Sequence, residues 1–195
     1  TRKRKRIMAS VELTRRAKKI RAVAFDGDGV LFTGRVFMDP DRGEVLKERS
    51  HVDGQGISLL RDAGVFIAFV SGEKTGFVEA VGKKLNELPS VREGRWPPVG
   101  IFTGPQGKDK VVSLGAWLEA NGILWDECAY MGDDLSDYEI LGKVGLAAAP
   151  QQAEDTIKKR VHFIAKRNGG DGAIRDLANV ILEAKGVDVL TLSLR

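Results

Sequence analysis

Asp26 and Asp28 stand two residues apart in the run Phe25-Asp26-Gly27-Asp28-Gly29-Val30. Carboxylates so spaced face one space only if the chain turns between them, and Gly27 and Gly29 permit that turn. Further along come Ser71-Gly72, then Lys108-Asp109-Lys110, then Gly132-Asp133-Asp134. If these segments meet, three or more acidic groups crowd one pocket, and their repulsion calls for a cation. All-oxygen ligands favour a hard ion, and a small set of protein ligands favours Mg2+ over Ca2+. With 2 histidines and one cysteine in the chain, no zinc-type cluster can form. An EF-hand does not fit either, because the acidic run lacks the ligand spacing and follows a strand.

The chemistry open to such a pocket is phosphoryl transfer. A carboxylate beside Mg2+, here Asp26, can attack phosphorus and form an acyl phosphate. Asp28 can protonate the leaving oxygen and later deprotonate the attacking water. Ser71 and nearby backbone N–H groups can hold the equatorial oxygens, and Lys110 or Lys108 can offset their charge from a helix N-terminus. Taken singly, each segment reads as a turn, a loop or a cap. Their joint occurrence, each at an element boundary, points to chemistry.

The elements that must position these residues follow from periodicity. Short apolar runs at Arg21–Phe25, Val65–Val70, Ala129–Met131, Val144–Ala147 and His162–Ile164 read as strands buried on both faces. Helical patterns fall at 56–63, 74–88, 108–120, 135–142, 153–160 and 173–184. The third of these should turn Val111, Val112, Leu114, Trp117 and Leu118 inward. Arg35–Met38 and Glu44–Lys47 flank a Pro/Asp/Gly cluster and read as a hairpin. Strands alternating with helices predict an α/β three-layer sandwich with a mainly parallel, Rossmann-like sheet, whose site lies beyond the carboxyl ends of the strands. The segment 89–107 is the least regular, with four prolines and a short strand expected near Gly100–Phe102.

Composition narrows the class. The chain has 195 residues, 43% of them apolar and 30% charged, with 23 glycines. That suits one domain with many tight turns, expected over 21–185 between a basic leader at 1–20 and a tail at 186–195. No apolar run approaches the roughly 20 residues of a spanning helix. The single Cys128 forms no internal disulfide and reads as a packed thiol, which points to a reducing cytoplasm. Net charge is +4, concentrated in Arg2–Arg6 and Arg15–Arg21. No aromatic residues interleave these basics, so a solvated leader is expected rather than a nucleic-acid arm.

These motifs resemble those of the haloacid dehalogenase superfamily of phosphohydrolases (the HAD-like fold). The Asp-x-Asp after a strand is Asp26-Gly27-Asp28, the strand-end Ser or Thr is Ser71, and the lysine is placed at Lys110. The acidic motif is Gly132-Asp133-Asp134-Leu135-Ser136-Asp137, with one residue fewer between its acids than the usual form. The resemblance implies Asp26 as nucleophile and Asp28 as acid/base. It implies Mg2+ held by Asp26, Asp133 and the backbone carbonyl of Asp28, with Asp134 or Asp137 close by.

Neither the gap from Asp28 to Ser71 nor that from Ser71 to Lys110 has room for a separate cap domain. The chain is similar to the small capless branch that includes phosphatases of 3-deoxy-D-manno-octulosonate 8-phosphate (KDO 8-phosphate) and of nonulosonate 9-phosphates. The similar segments include Asp26–Gly34, Asp53–Ile57, Ser71–Thr75, Ala129–Asp137 and Gly169–Arg175. The branch implies a homotetramer joined by the hairpin, and an acidic sugar phosphate as substrate. It implies a substrate-binding set of Ser71, Gly72, Glu73, Lys74, Lys110 and Arg175. It also contains the phosphatase-like domain of animal acylneuraminate cytidylyltransferase, so an assembly domain with little or no activity is the alternative. Two features depart from the branch: Val81 stands where relatives carry an arginine, and the proline-rich stretch 89–105 is long.

Overall fold

The structure, a computed structural model, describes the backbone of residues 2–192. The side chains of the basic block Arg2–Arg6 and the last three residues of the tail lie outside the described residues. In chain order the elements are α1 (Arg2–Lys19), β1 (Ala22–Phe25), β2 (Val36–Asp39), β3 (Gly43–Lys47), α2 (His51–Asp62), β4 (Phe66–Ser71), α3 (Phe77–Asn86) and α4 (Pro89–Arg92). Then come β5 (Gly100–Thr103), α5 (Lys108–Ala120), β6 (Cys128–Met131), α6 (Tyr138–Leu141), β7 (Leu146–Ala149), α7 (Asp155–Lys158), β8 (Phe163–Ile164) and α8 (Ala173–Ala184).

Six strands form one sheet in the order β5-β4-β1-β6-β7-β8, and every pairing is parallel. Parallel strands need crossovers, and helices supply them on both faces. Successive residues of β1 therefore feed two cores. Val23 and Phe25 pack with Ile57, Leu60, Ile174 and Leu177 of α2 and α8, while Ala22 and Ala24 pack with Leu114, Leu118 and Ile140 of α5 and α6. The second sheet is the hairpin β2-β3, antiparallel with an irregularity between Phe37 and Met38. No separate cap domain is present among the described residues.

Several expectations need correction. The leader is helical, and its C-terminal end is not solvated: Ala17 and Ile20 are wholly buried, and the Arg16 guanidinium donates to Gly145 O at 2.8 Å. Packing of this apolar stripe outweighs the charge density of the segment. α2 starts five residues before position 56, because the Ser50 side chain accepts from Val52 N and caps the helix. Gly56 inside it is a packing requirement, since a Cβ there would lie 2.9 Å from Arg175 Cα in α8. Val112 is 69% exposed and does not face inward, whereas Leu114 and Leu118 do.

The proline-rich stretch is anchored to the body of the domain. The buried Arg61 donates to Leu85 O and Pro97 O and stacks over the Trp96 ring at 4.9 Å. Asn86 adds a reciprocal pair of hydrogen bonds with the Val99 backbone.

Candidate active site

The carboxyl ends of β1, β4 and β6 open into one cavity of about 420 Å³. Asp26, Asp28, Ser71, Gly72, Glu73, Lys110, Asp133 and Asp134 all line it. The sheet order explains the convergence, because β1 lies between β4 and β6 and the three strand ends are neighbours. Each strand stops where its chain turns polar. After β1 the chain winds tightly: Leu31 N and Phe32 N both bond to Gly27 O, at 2.9 and 3.0 Å. Gly27 lets β4 come close, since a Cβ there would stand 2.6 Å from Ser71 Oγ. Gly29 has a φ of 78°, and a side chain on it would run into the Asp133 carboxylate.

At the centre, Lys110 Nζ lies 2.6 Å from Asp26 Oδ1 and 2.7 Å from Asp137 Oδ1. Lys110 sits in the first turn of α5 and is 1% exposed. Lys108, one half-turn earlier, is exposed and does not line the cavity. The wholly buried Asp137 is reached through a 3₁₀ turn, Leu135–Asp137, that folds it back under β6. Its two oxygens are committed. Oδ1 accepts from Lys110 and from Tyr130 OH at 2.7 Å, and Oδ2 accepts from Asp133 N at 3.0 Å.

The electrostatics follow from burial. Asp26 is pushed up to about 7, first by desolvation and then by the Asp137 charge, with Lys110 opposing. Asp133 is pushed up to about 8 by burial, with Asp26 and Asp137 adding to it. Burial works against the charge on Lys110, but Asp26 and Asp137 outweigh it and hold the ammonium above its usual range.

Asp26, Asp133 and Asp137 each offer an oxygen, and these atoms lie within 4.8 Å of one another. Three carboxylates against one lysine leave uncompensated negative charge, and the donor set is all oxygen. A hard divalent cation fits that set. Because Asp137 is saturated by its own hydrogen bonds, Asp26 and Asp133 are the carboxylates with lone pairs to spare.

Asp28 is held differently. Its carboxylate accepts two bonds from Lys47 Nζ, at 2.7 and 2.9 Å. Lys47 lies at the end of β3, and the sequence reading gave it no role. A lone basic residue on a hairpin strand carries no signal of a partner 19 residues back. Gln152 is a second unanticipated contributor. It donates to Gly29 O at 2.6 Å and accepts from Gly169 N at 2.8 Å, joining the turn after β1 to the loop before α8.

Two residues of the expected substrate-binding set lie outside the cavity. The Lys74 side chain packs against Gly104, and the Arg175 guanidinium donates to Gln55 Oε1 and Asn179 Oδ1. Residues 89–105 contribute nothing to the lining. Val81 packs into the core and does not reach the pocket.

Comparison with known proteins agrees with this geometry. Residues 65–177 match the family of haloacid dehalogenase-like hydrolases. The chain is 31% identical over 178 residues to 3-deoxy-D-manno-octulosonate 8-phosphate phosphatase of Escherichia coli K12, covering 91% of this chain and 87% of that protein. Among solved structures, a putative HAD hydrolase of subfamily III A from Legionella pneumophila superposes with a TM-score of 0.82 at 30% identity, covering 93% and 92% of the two chains. The octulosonate 8-phosphate phosphatase of Moraxella catarrhalis, solved with magnesium, phosphate and KDO, superposes with a TM-score of 0.78 at 27% identity, covering 90% and 92%. The chain therefore belongs to the haloacid dehalogenase-like hydrolases and is a phosphoric monoester hydrolase of that family.

Proposed function

We propose that the chain removes phosphate from an acidic sugar phosphate, of the KDO 8-phosphate or nonulosonate 9-phosphate type, with Mg2+ as cofactor. The observation that carries this reading is the pairing of Asp26 with Lys110 at 2.6 Å, in a cavity that Asp28 also lines. The relatives named above support the substrate class.

Asp26 attacks phosphorus and becomes an aspartyl phosphate, while Asp28 protonates the departing alkoxide. Asp28 then takes a proton from the water that cleaves the acyl phosphate. Lys110 and the Ser71 hydroxyl meet the equatorial oxygens, where charge must be balanced in the transition state. Asp26 and Asp133, with the Asp28 carbonyl, would hold the cation, which supplies charge neutralisation at the phosphoryl group.

The hairpin carries exposed Phe37, Met38 and Leu46. Such a patch favours association of copies, and we take a homotetramer as the working assembly. No helix among the described residues is long and apolar enough to cross a membrane. The buried single thiol fits a cytoplasmic setting. An inactive assembly domain has no use for the paired Asp26 and Lys110, and no finding favours it.

The test is a panel of sugar phosphates assayed for phosphate release with Mg2+. Activity should vanish in Asp26→Asn and in excess chelator. Turnover that survives either change would overturn the mechanism.

A further inference from the structure

We propose that Lys47 is a positioning residue for Asp28, a latch through which the hairpin sets the geometry of the proton-transfer step. The inference rests on the phosphatase reading above for its kinetic consequence, but the latch itself is a matter of contacts.

The hairpin of β2 and β3 is open to solvent: Phe37, Met38 and Leu46 are each more than 60% exposed. Lys47 ends that hairpin, yet its side chain is 2% exposed. It runs inward over the Phe77 ring, with Nζ 5.5 Å from the centroid. Phe77 packs in turn edge-on against Phe32, in the turn that follows Asp28. The ammonium ends between Asp28, at 2.7 and 2.9 Å, and Glu44 Oε2, at 3.0 Å. It is not among the residues lining the cavity. It therefore meets Asp28 from outside the cavity lining.

A two-oxygen grip fixes the carboxylate plane, which a single contact would leave free to rotate. General acid catalysis depends on that orientation, since the proton must lie within hydrogen-bond reach of the leaving oxygen. No other side-chain bond to Asp28 is present among the described residues. The hairpin base is further tied by Thr33 N to Glu48 O at 3.0 Å. Movement of the hairpin would thus be transmitted to Asp28 through Lys47, while Asp26, anchored to Lys110, would stay in place.

The experiment compares Lys47→Met with the unaltered protein on two esters. For an alkyl phosphate the leaving group needs the acid; for 4-nitrophenyl phosphate it scarcely does. Values of kcat/KM isolate the first chemical step. The latch requires a loss of about 10- to 100-fold for the alkyl ester and a loss at least about tenfold smaller for the aryl ester, because general acid catalysis is worth roughly 10²–10⁴. Equal losses on both esters would mean that Lys47 binds phosphate or only supports the fold, and would overturn the inference. Lys47→Gln, which keeps a donor, replaces the Met variant if that one melts below assay temperature.

Thermal unfolding of Lys47→Met, Asp28→Asn and the double variant reads the pair without substrate. The latch requires that the two shifts in Tm fail to add. Additive shifts would remove it even if the chain proves an active phosphatase. Non-additive shifts in a chain that hydrolyses neither ester would keep the contact and discard the phosphatase reading.

Discussion

Tyr130, wholly buried in β6, donates its hydroxyl to Asp137 Oδ1 at 2.7 Å, the same oxygen that accepts Lys110 Nζ at 2.7 Å. Asp137 thus holds Lys110 in line with Asp26 and is itself held from the interior. Tyr130→Phe removes one donor to a buried carboxylate and should cost about 1.5–3 kcal/mol of stability, as hydrogen bonds to charged groups do. Urea unfolding checks the loss. Activity should fall much less than in Asp26→Asn, because the Lys110 contact survives.

Lys110→Met should be harsher. It leaves Asp26 and Asp137 buried without their shared cation, and breaking a buried pair costs about 3–5 kcal/mol. Phosphate release should fall by roughly 10²-fold or more, the scale expected for losing one preorganised charge contact. Unfolding midpoints and single-turnover rates together separate the two effects.

Protonation gives a further prediction. An unfolded Asp titrates near about 4, whereas Asp26 and Asp133 are pushed up to about 7 and about 8 in the folded chain. Between about pH 4 and pH 8 the folded state holds more protons than the unfolded one, so stability falls as pH rises. Below about pH 4 both states are protonated and this contribution is constant. In excess chelator, Tm should therefore drop across pH 5.5 to 8.5. Asp133→Asn should flatten that slope. Added Mg2+ should raise Tm more at the alkaline end, where ligand protons need not be displaced.

Gly29→Ala tests the crowding around Asp133. The backbone there has a φ of 78°, and the new methyl would strike the Asp133 carboxylate. A non-glycine residue in that conformation costs about 1–3 kcal/mol. Displacement of Asp133 should also weaken the response to Mg2+. Thermal melts at graded Mg2+ should show a right-shifted curve, and an unchanged one would separate Gly29 from the cation site.

The hairpin patch can be probed by Phe37→Glu with Met38→Glu. Both side chains are more than 60% exposed in the isolated chain, so folding should be little affected. If copies associate through this face, the mass in solution should fall, as read by light scattering.

Much of this fold was legible because its strands are short apolar runs that each stop at a polar residue. Asp26, Ser71 and Asp133 announced themselves as strand-end residues, and the parallel sheet brings such ends together. Lys110 was legible from the helix start that carries it. Lys47 and Gln152 were not, because their partners lie across the fold and no local pattern encodes them. The start of α2 was hidden by Gly54 and Gly56, which lower helix propensity in isolation; the close approach of α8 is what calls for Gly56. Arg175 sits beside a glycine-rich loop that does reach the region of Gly29, yet its own side chain turns toward Gln55.

The place of β1 in the sheet bears on how the chain comes to be folded at all. It precedes β4 and β6 in the chain, yet it lies between them and cannot complete its ladders until residue 131 has been made. Until then an apolar segment, Ala22–Phe25, waits without its neighbours. Long-range parallel pairing of this kind forms late and leaves nascent chains prone to stick. The turn bearing Asp26 and Asp28 is therefore made well before the strands that flank it. Its support from Gln152 comes from 123 residues beyond Gly29, and Gln152 is held in turn by Gly169.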